Sequence, residues 1–316
     1  MTLEDLKNHK TTREEPIHVN YHGVDVYEIP PSGQGITALI ALNILKQFNI
    51  SKETMEHNSA EYLHLLIESL RLAFADARYY IADPNFAHIP VDTLLSDGYG
   101  KLRHSLINTE KAAVSVEEGS PTQMCNTVYF SVVDPQGNAV SFINSNYNGF
   151  GTAIVPKGCG FPLHNRGHNF SLLRGHKNSL APNKRPYHTI IPGMALKDGD
   201  LYASFGVMGA FMQPQGHVQV LLNLIDFGMN AQQALDASRI CVNVTTNGEG
   251  PVSLEDGIDE AVANKLKEMG HSIISPVSGD LRYVFGRGQI LLKNPQTKVI
   301  EGGSDPRGDG HVAPVV

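Results

Sequence analysis

Residues 125–142, CNTVYFSVVDPQGNAVSF, read as two β-strands joined by a turn. Pro135 suits the second position of a turn, and Gly137-Asn138 accept left-handed backbone angles, so strands over 127–134 and 139–146 form a hairpin. Taken alone, Thr127 is a β-branched residue opening a strand.

Working outward, strands are expected at 186–197 and 201–207. Helical segments follow at QPQGHVQVLLNLIDFG and AQQALDASR, then an amphipathic helix at DEAVANKLKEMGH and closing strands at RYVFGRGQILLK and KVIEGG. Ahead of the hairpin, IHVNYHGVDVYEI alternates around His22-Gly23 as a shorter hairpin, and a helix begins near Gly35. Ser59 caps a helix with Leu63, Leu66, Leu70, Phe74 and Ala77 along one face, and a further helix follows Asp92 and ends near Ile107. Residues 109–124 are polar and acidic, and read as an exposed loop. Strands gathered in the second half with helices on either side predict a layered α+β or α/β fold.

The 316 residues carry a net charge of -7 with scattered basic side chains, so no footprint for nucleic acid is present. No apolar run is long enough to span a membrane, and the polar first residues lack the apolar core of a secretory signal, so a cytoplasmic location is expected. Cys125, Cys159 and Cys241 form no CxxC pair, which argues against a disulfide framework or structural zinc. His18 with His22, and His164 with His168, sit on no convincing helix and form no H-E-x-x-H, so neither a metal nor a cofactor is expected. The RGD at 307–309 reads as part of a Gly-rich turn.

PPSGQGITALIALNIL, NTVYFSVVDPQGNAVSF, GFGTAIV, RPYHTIIPGM, FGVMGAFMQPQGHVQVLLNLIDFGMNAQQALDASR and GGSDPRGDG resemble, in that order, the gamma-glutamyltranspeptidase family. The likeness runs from about residue 17 to about 311, and is greatest to the transpeptidase-like and cephalosporin-acylase-like branch. It implies an N-terminal nucleophile (Ntn) hydrolase: an αββα four-layer sandwich of the α+β class, made as a precursor that cuts itself. The cut would fall between Asn126 and Thr127, giving a large-subunit region 1–126 and a small-subunit region 127–316 that share one domain with 17–126. Thr127 would then be the nucleophile, its freed α-amino group the base.

Carried over residue by residue, the resemblance makes Ser145 a hydroxyl beside the nucleophile, and Gly209 with Ala210 the oxyanion donors. It places Asn169, His188, Thr189, Tyr147 and Arg166 at the substrate. Three positions depart from the pattern: Asn169 replaces an aspartate, His188-Thr189 a Ser-Ser pair, and Ala210 a glycine followed by the bulky Phe211. His188 can donate a hydrogen bond or carry charge below its pKa. The short connection from Phe170 to Pro186 implies a more open groove than in typical members, favouring hydrolysis over transfer.

Nothing matches the segment that family members carry ahead of YHGVDVYEIPP, so an incomplete sandwich is expected on that side, with apolar surface left bare and self-association into a homodimer. The implied activity is hydrolysis or transfer of γ-glutamyl amides such as glutathione. The alternatives are a cephalosporin-acylase-like amidase and an inactive remnant.

Overall fold

A computed structural model describes residues 2–113, 125–244 and 249–314. Its strands are β1 (Ile17–Tyr21), β2 (Val24–Glu28), β3 (Cys125–Val133), β4 (Ala139–Asn148), β5 (Gly193–Lys197), β6 (Asp200–Met208), β7 (Ile240–Val244), β8 (Glu249–Glu255), β9 (Ile273–Val277), β10 (Arg287–Lys293) and β11 (Ile300–Ser304). Its helices are α1 (Leu3–Asn8), α2 (Gly35–Leu45), α3 (Ala60–Tyr80), α4 (Val91–Leu94), α5 (Asp97–His104), α6 (Met212–Ile225), α7 (Ala231–Asp236) and α8 (Glu260–Glu268).

The predicted hairpins form for the predicted reasons. Asp134 accepts from Asn138 N (2.8 Å) and its carbonyl from Gly137 N, closing the β3–β4 turn. Gly23 follows His22, whose φ is +49°, at the β1–β2 turn. Ser59 accepts from Tyr62 N (3.2 Å) to start α3.

Six strands make the main sheet in the order β1-β2-β5-β6-β10-β11. Strands β1 and β2 precede residue 126 and the other four follow it, so a cut there would leave two pieces sharing one sheet through the antiparallel β2–β5 pair. One face of the sheet is dry: Val19, Tyr21, Val24, Val26, Ala203, Phe205 and Val207 pack with Ile36, Leu39, Ile40, Leu66 and Leu221 of α2, α3 and α6. Burying this many side chains, at about 1.5–3 kcal/mol each, is what holds the helices to the sheet.

The β3–β4 hairpin is a separate two-stranded sheet stacked on β6. Gly206 makes the close approach possible, since a Cβ there would sit 2.4 Å from the Tyr129 ring. The layering is therefore helices, large sheet and small sheet, as the α+β expectation requires. On its outer side the hairpin presents Val128, Phe130, Val132, Val140 and Phe142, all exposed, with the two phenylalanines stacked at 4.8 Å. One face of the hairpin is thus packed and the other is apolar and bare.

Some expectations need correction. The segment before Gly193 is not strand: residues 186–192 run irregularly, because His188, Thr189 and Ile191 bond to Ser32, Gln34 and Gln213 rather than to a ladder. The helix after Asp92 is two short ones, α4 and α5. The loop expectation for 109–124 holds for the exposed residues 109–111, whereas Ala112 is buried with its N–H on Met269 O (2.7 Å) and Ala113 N donates to Glu68. Residues 114–124 of that loop lie outside the described residues. No helix among the described residues is long and apolar enough to cross a membrane.

Candidate active site

Thr127 lies near the start of β3, directly opposite Ser145 of β4. The ladder is broken just before it: Cys125 pairs with Asn148, so two steps on β3 face three on β4. The extra residue falls at Asn146-Tyr147, and Tyr147 takes φ +78°. A bulge of this kind frees backbone groups from the ladder, and positive φ in an aromatic residue costs roughly 1–3 kcal/mol that the surroundings must hold in place. The Asn126–Thr127 bond is thus the one stretch of β3 that faces an irregular partner.

Ser145 Oγ accepts from Tyr147 N (3.2 Å) and from Arg166 Nη2. Arg166 sits in a 3-10 turn, Arg166–Asn169, and is buried. Its Nη2 also donates to the Ser145 carbonyl (3.2 Å), its Nη1 donates to Thr189 Oγ1 (2.7 Å), and its guanidinium lies 5.8 Å from the centre of the Tyr147 ring. A buried cation held to two hydroxyl residues is the centre of the constellation.

Asn169 is fully buried. Its amide N–H donates to Tyr187 O (3.2 Å), while its carbonyl Oδ1 has no partner among the described residues. Asn178 clamps both neighbours, donating to Asn169 O and accepting from Tyr187 N. His188 Nδ1 accepts from Ile190 N (3.3 Å), which requires a neutral ring with its proton on Nε2. Burial, then the charges of Arg166, His164 and Arg185, hold its pKa down to about 3. Of the two states open to His188 from the sequence, the structure selects the neutral donor.

Gly209 (φ +145°) and Ala210 (φ +50°) form the turn between β6 and α6. Gly209 O accepts from Met212 N and Ala210 O from Gln213 N, so both carbonyls point into the helix start and the Ala210 N–H is turned the opposite way. Phe211 packs beside Tyr187, ring centres 5.7 Å apart. Gln34, which the sequence did not single out, donates from Nε2 to Thr189 O (2.6 Å) and to Ala210 O (2.8 Å). The available signal was a glutamine between two glycines at a helix start, which is weak. A single hydrogen-bonded path therefore runs from Ser145 through Arg166, Thr189 and Gln34 to Ala210. Every residue expected at the site lies on this path or beside it, except Asn126, whose side chain is outside the description.

Other motifs are spoken for. Arg307 of the RGD is buried against Glu255 and Asp305. His18 stacks on Tyr27, and His22 Nδ1 lies 2.9 Å from Asp226 Oδ1. Cys159 and Cys241 are free thiols, and burial pushes Cys241 up to about 12.

His188 gives a pH prediction. Its folded pKa of about 3 lies below the unfolded value of roughly 6.5, so between these the unfolded chain binds more protons. This contribution is complete above the unfolded pKa and is lost as pH falls, at up to about 1.4 kcal/mol per pH unit. Urea unfolding followed from pH 6 to pH 4 should show a shallower slope in His188→Gln than in the parent. Equal slopes would contradict the buried neutral ring.

The chain matches the family model described as gamma-glutamyltranspeptidase over residues 1–315. It is 36% identical over 311 residues to the glutathione hydrolase-like YwrD proenzyme of Bacillus subtilis strain 168, covering 98% of this chain and 58% of that protein. It is 35% identical over 274 residues to the acylase ACY 1 proenzyme of Pseudomonas sp. strain SE83, covering 85% of this chain and 47% of that one. Among solved structures, the cephalosporin acylase from Bacillus halodurans superposes with a TM-score of 0.87 at 45% identity, over 99% of this chain and 55% of that one. The chain thus spans about half the length of the relatives it matches.

Proposed function

The chain belongs to the gamma-glutamyltranspeptidase family, a family of hydrolases and transferases made as proenzymes, and on that premise we propose that it is an amidohydrolase with Thr127 as its nucleophile. The observation that carries the reading is the hydrogen-bonded path joining Ser145, across the ladder from Thr127, to the Gly209-Ala210 turn through Arg166, Thr189 and Gln34.

In the first step the Thr127 hydroxyl adds to the Asn126 carbonyl. The C–N bond breaks, the amide becomes an ester, and the nitrogen leaves as the free α-amino group of Thr127. Water then cleaves the ester, giving Asn126 its carboxyl and separating 1–126 from 127–316. The new amine, with a pKa of roughly 8, takes the hydroxyl proton in each later turnover. Attack on a substrate amide places negative charge on its oxygen, which the Gly209 and Ala210 N–H groups receive. The amine passes its proton to the leaving nitrogen, and water hydrolyses the acyl ester.

Arg166, Thr189 and the neutral His188 offer donors to a carboxylate on the acyl group. Asn169 offers no charge to an ammonium group, only its carbonyl oxygen. This favours a second acyl class beside γ-glutamyl: a dicarboxylic monoamide such as a glutaryl amide, in keeping with the likeness to a cephalosporin acylase. The short 171–185 connection favours water over an amine as acceptor. The bare hairpin face favours self-association.

Release of aniline from a γ-glutamyl anilide and from a glutaryl anilide tests the proposal. Without the aspartate, the glutaryl compound is expected to be turned over at least as fast as the γ-glutamyl one. A preference of a hundredfold or more for γ-glutamyl would assign Asn169 wrongly, and no turnover of either would leave the chain an inactive remnant.

A further inference from the structure

Gln34 occupies the cap position of α2 without capping it. A short side-chain oxygen at this position commonly accepts from the first helical turn, but the Gln34 side chain makes no such bond. Fully buried, it is spent elsewhere: Nε2 donates to Thr189 O and Ala210 O, and Oε1 accepts from Tyr187 OH (3.2 Å). The partners fix which end of the amide is which, because two carbonyls require the NH2 group and the phenol supplies a donor. Backbone bonds reinforce the contact: Gln34 N donates to His188 O (3.0 Å), and His188 N to Ser32 O (2.9 Å).

The flanking glycines let the chain reach this point. A Cβ on Gly35 would sit 2.6 Å from Glu28 Cβ, and one on Gly33 3.0 Å from Pro30 O. The backbone is therefore pressed against the end of β2 and the turn after it, and from there the glutamine spans both loops.

Ala210 holds a left-handed backbone without being glycine, a conformation that its surroundings must impose. The peptide plane before it is set by the Gly209 O bond to Met212 N. The plane after it is set by Ala210 O, gripped from one side by Gln213 N and from the other by Gln34. The first plane carries the Ala210 N–H itself and the second is the peptide that follows, so the turn is held on both sides of the Ala210 Cα, and the same glutamine ties it to Thr189.

We propose that Gln34 is a positioning residue: it sets the separation and orientation of the Gly209-Ala210 N–H donors relative to the substrate-facing segment 187–189. The proposal rests on the reading of that turn as the oxyanion site. Its effect belongs in kcat rather than KM, since a donor misaligned with the transition-state oxygen costs turnover while ground-state contacts at Thr189 and Arg166 persist.

The test uses Gln34→Met, which keeps the length and removes both donors, and Tyr187→Phe, which removes only the phenol that orients the amide. Two readouts are taken: kcat and KM on the anilides, and hydrogen exchange of peptides spanning 187–191 and 209–213. Gln34→Met is expected to lower kcat about a hundredfold with KM within about threefold. Both segments should lose protection together while residues 39–45 of α2 keep theirs. Tyr187→Phe should move the same quantities in the same direction by a smaller factor, and it carries the test if Gln34→Met does not fold.

Unchanged kcat, a rise in KM alone, or loosening of one segment without the other would overturn the proposal. If the parent chain releases no aniline, the functional reading fails by itself. Exchange then decides the positioning claim: joint loosening upholds it and independent loosening rejects it.

Discussion

Thr127→Ala is expected to leave a single uncut chain of full mass, where the parent yields two fragments meeting at Asn126 and Thr127. The same substitution should reduce anilide turnover by about a thousandfold or more, because alanine has no atom to form the ester through which both cleavage and catalysis pass. Fold should be retained: Thr127 is only half-buried, and the hairpin is held by its turn and by the seat of Tyr129 on Gly206. Intact mass is the decisive measurement, since cleavage needs no substrate and reports only on the chain itself. Thr127→Ser should be cut, at a lower rate, because the hydroxyl remains. A parent that stays whole would sink the self-processing step, and an Ala variant that is cut at the same bond would assign the nucleophile to another residue.

Asp305→Ala is expected to destabilise the protein by about 3–5 kcal/mol, the largest effect on stability foreseen here. Asp305 is buried beyond β11, 2.8 Å from Arg239 and 3.0 Å from Arg307, and it also accepts from Gly288 N (2.7 Å). Both guanidiniums are themselves almost wholly buried. Burial alone would raise the Asp305 carboxyl, but the two arginines more than offset it and hold it below its ordinary value. Removing it strands positive charge beside β10 and α7, because Glu255 pairs directly with Arg307 and Arg282 and meets Arg239 through its backbone N–H and a weaker electrostatic attraction. Urea denaturation measures the loss, and a change below about 1 kcal/mol would show that the network relaxes or admits water. The network also explains why the RGD tripeptide is structural: its arginine ties the end of the chain to Leu235 O and Ala237 O.

Much of the framework was legible because the signals are local. Turn chemistry at Pro135, Gly137 and Asn138, the Ser59 cap and the apolar face of α3 each act within a few residues. The three-stranded sheet β7-β8-β9 was not anticipated. Two of its strands carry a proline, Pro251 in β8 and Pro276 in β9, and proline in a short apolar run argues against a strand. The β-branched and aromatic residues of 186–192 predict strand, whereas the hydrogen bonds of this segment go to Ser32 and Gln34 just ahead of α2 and to Gln213 of α6.

By itself the sequence determined which hydroxyls and glycines are present at family positions, and that Thr127 and Ser145 lie on facing strands of one hairpin. Those are consequences of order along the chain and of a turn that closes over four residues. Only the tertiary structure decided that Arg166 joins Ser145 to Thr189, that His188 is neutral, and that Gln34 binds the two loops of the site. Gln34 and its partners are 155 and 176 residues apart, and no local preference encodes such a contact. Protonation and alignment depend on burial and on the groups brought alongside, which exist only once the sheet and its helices have packed.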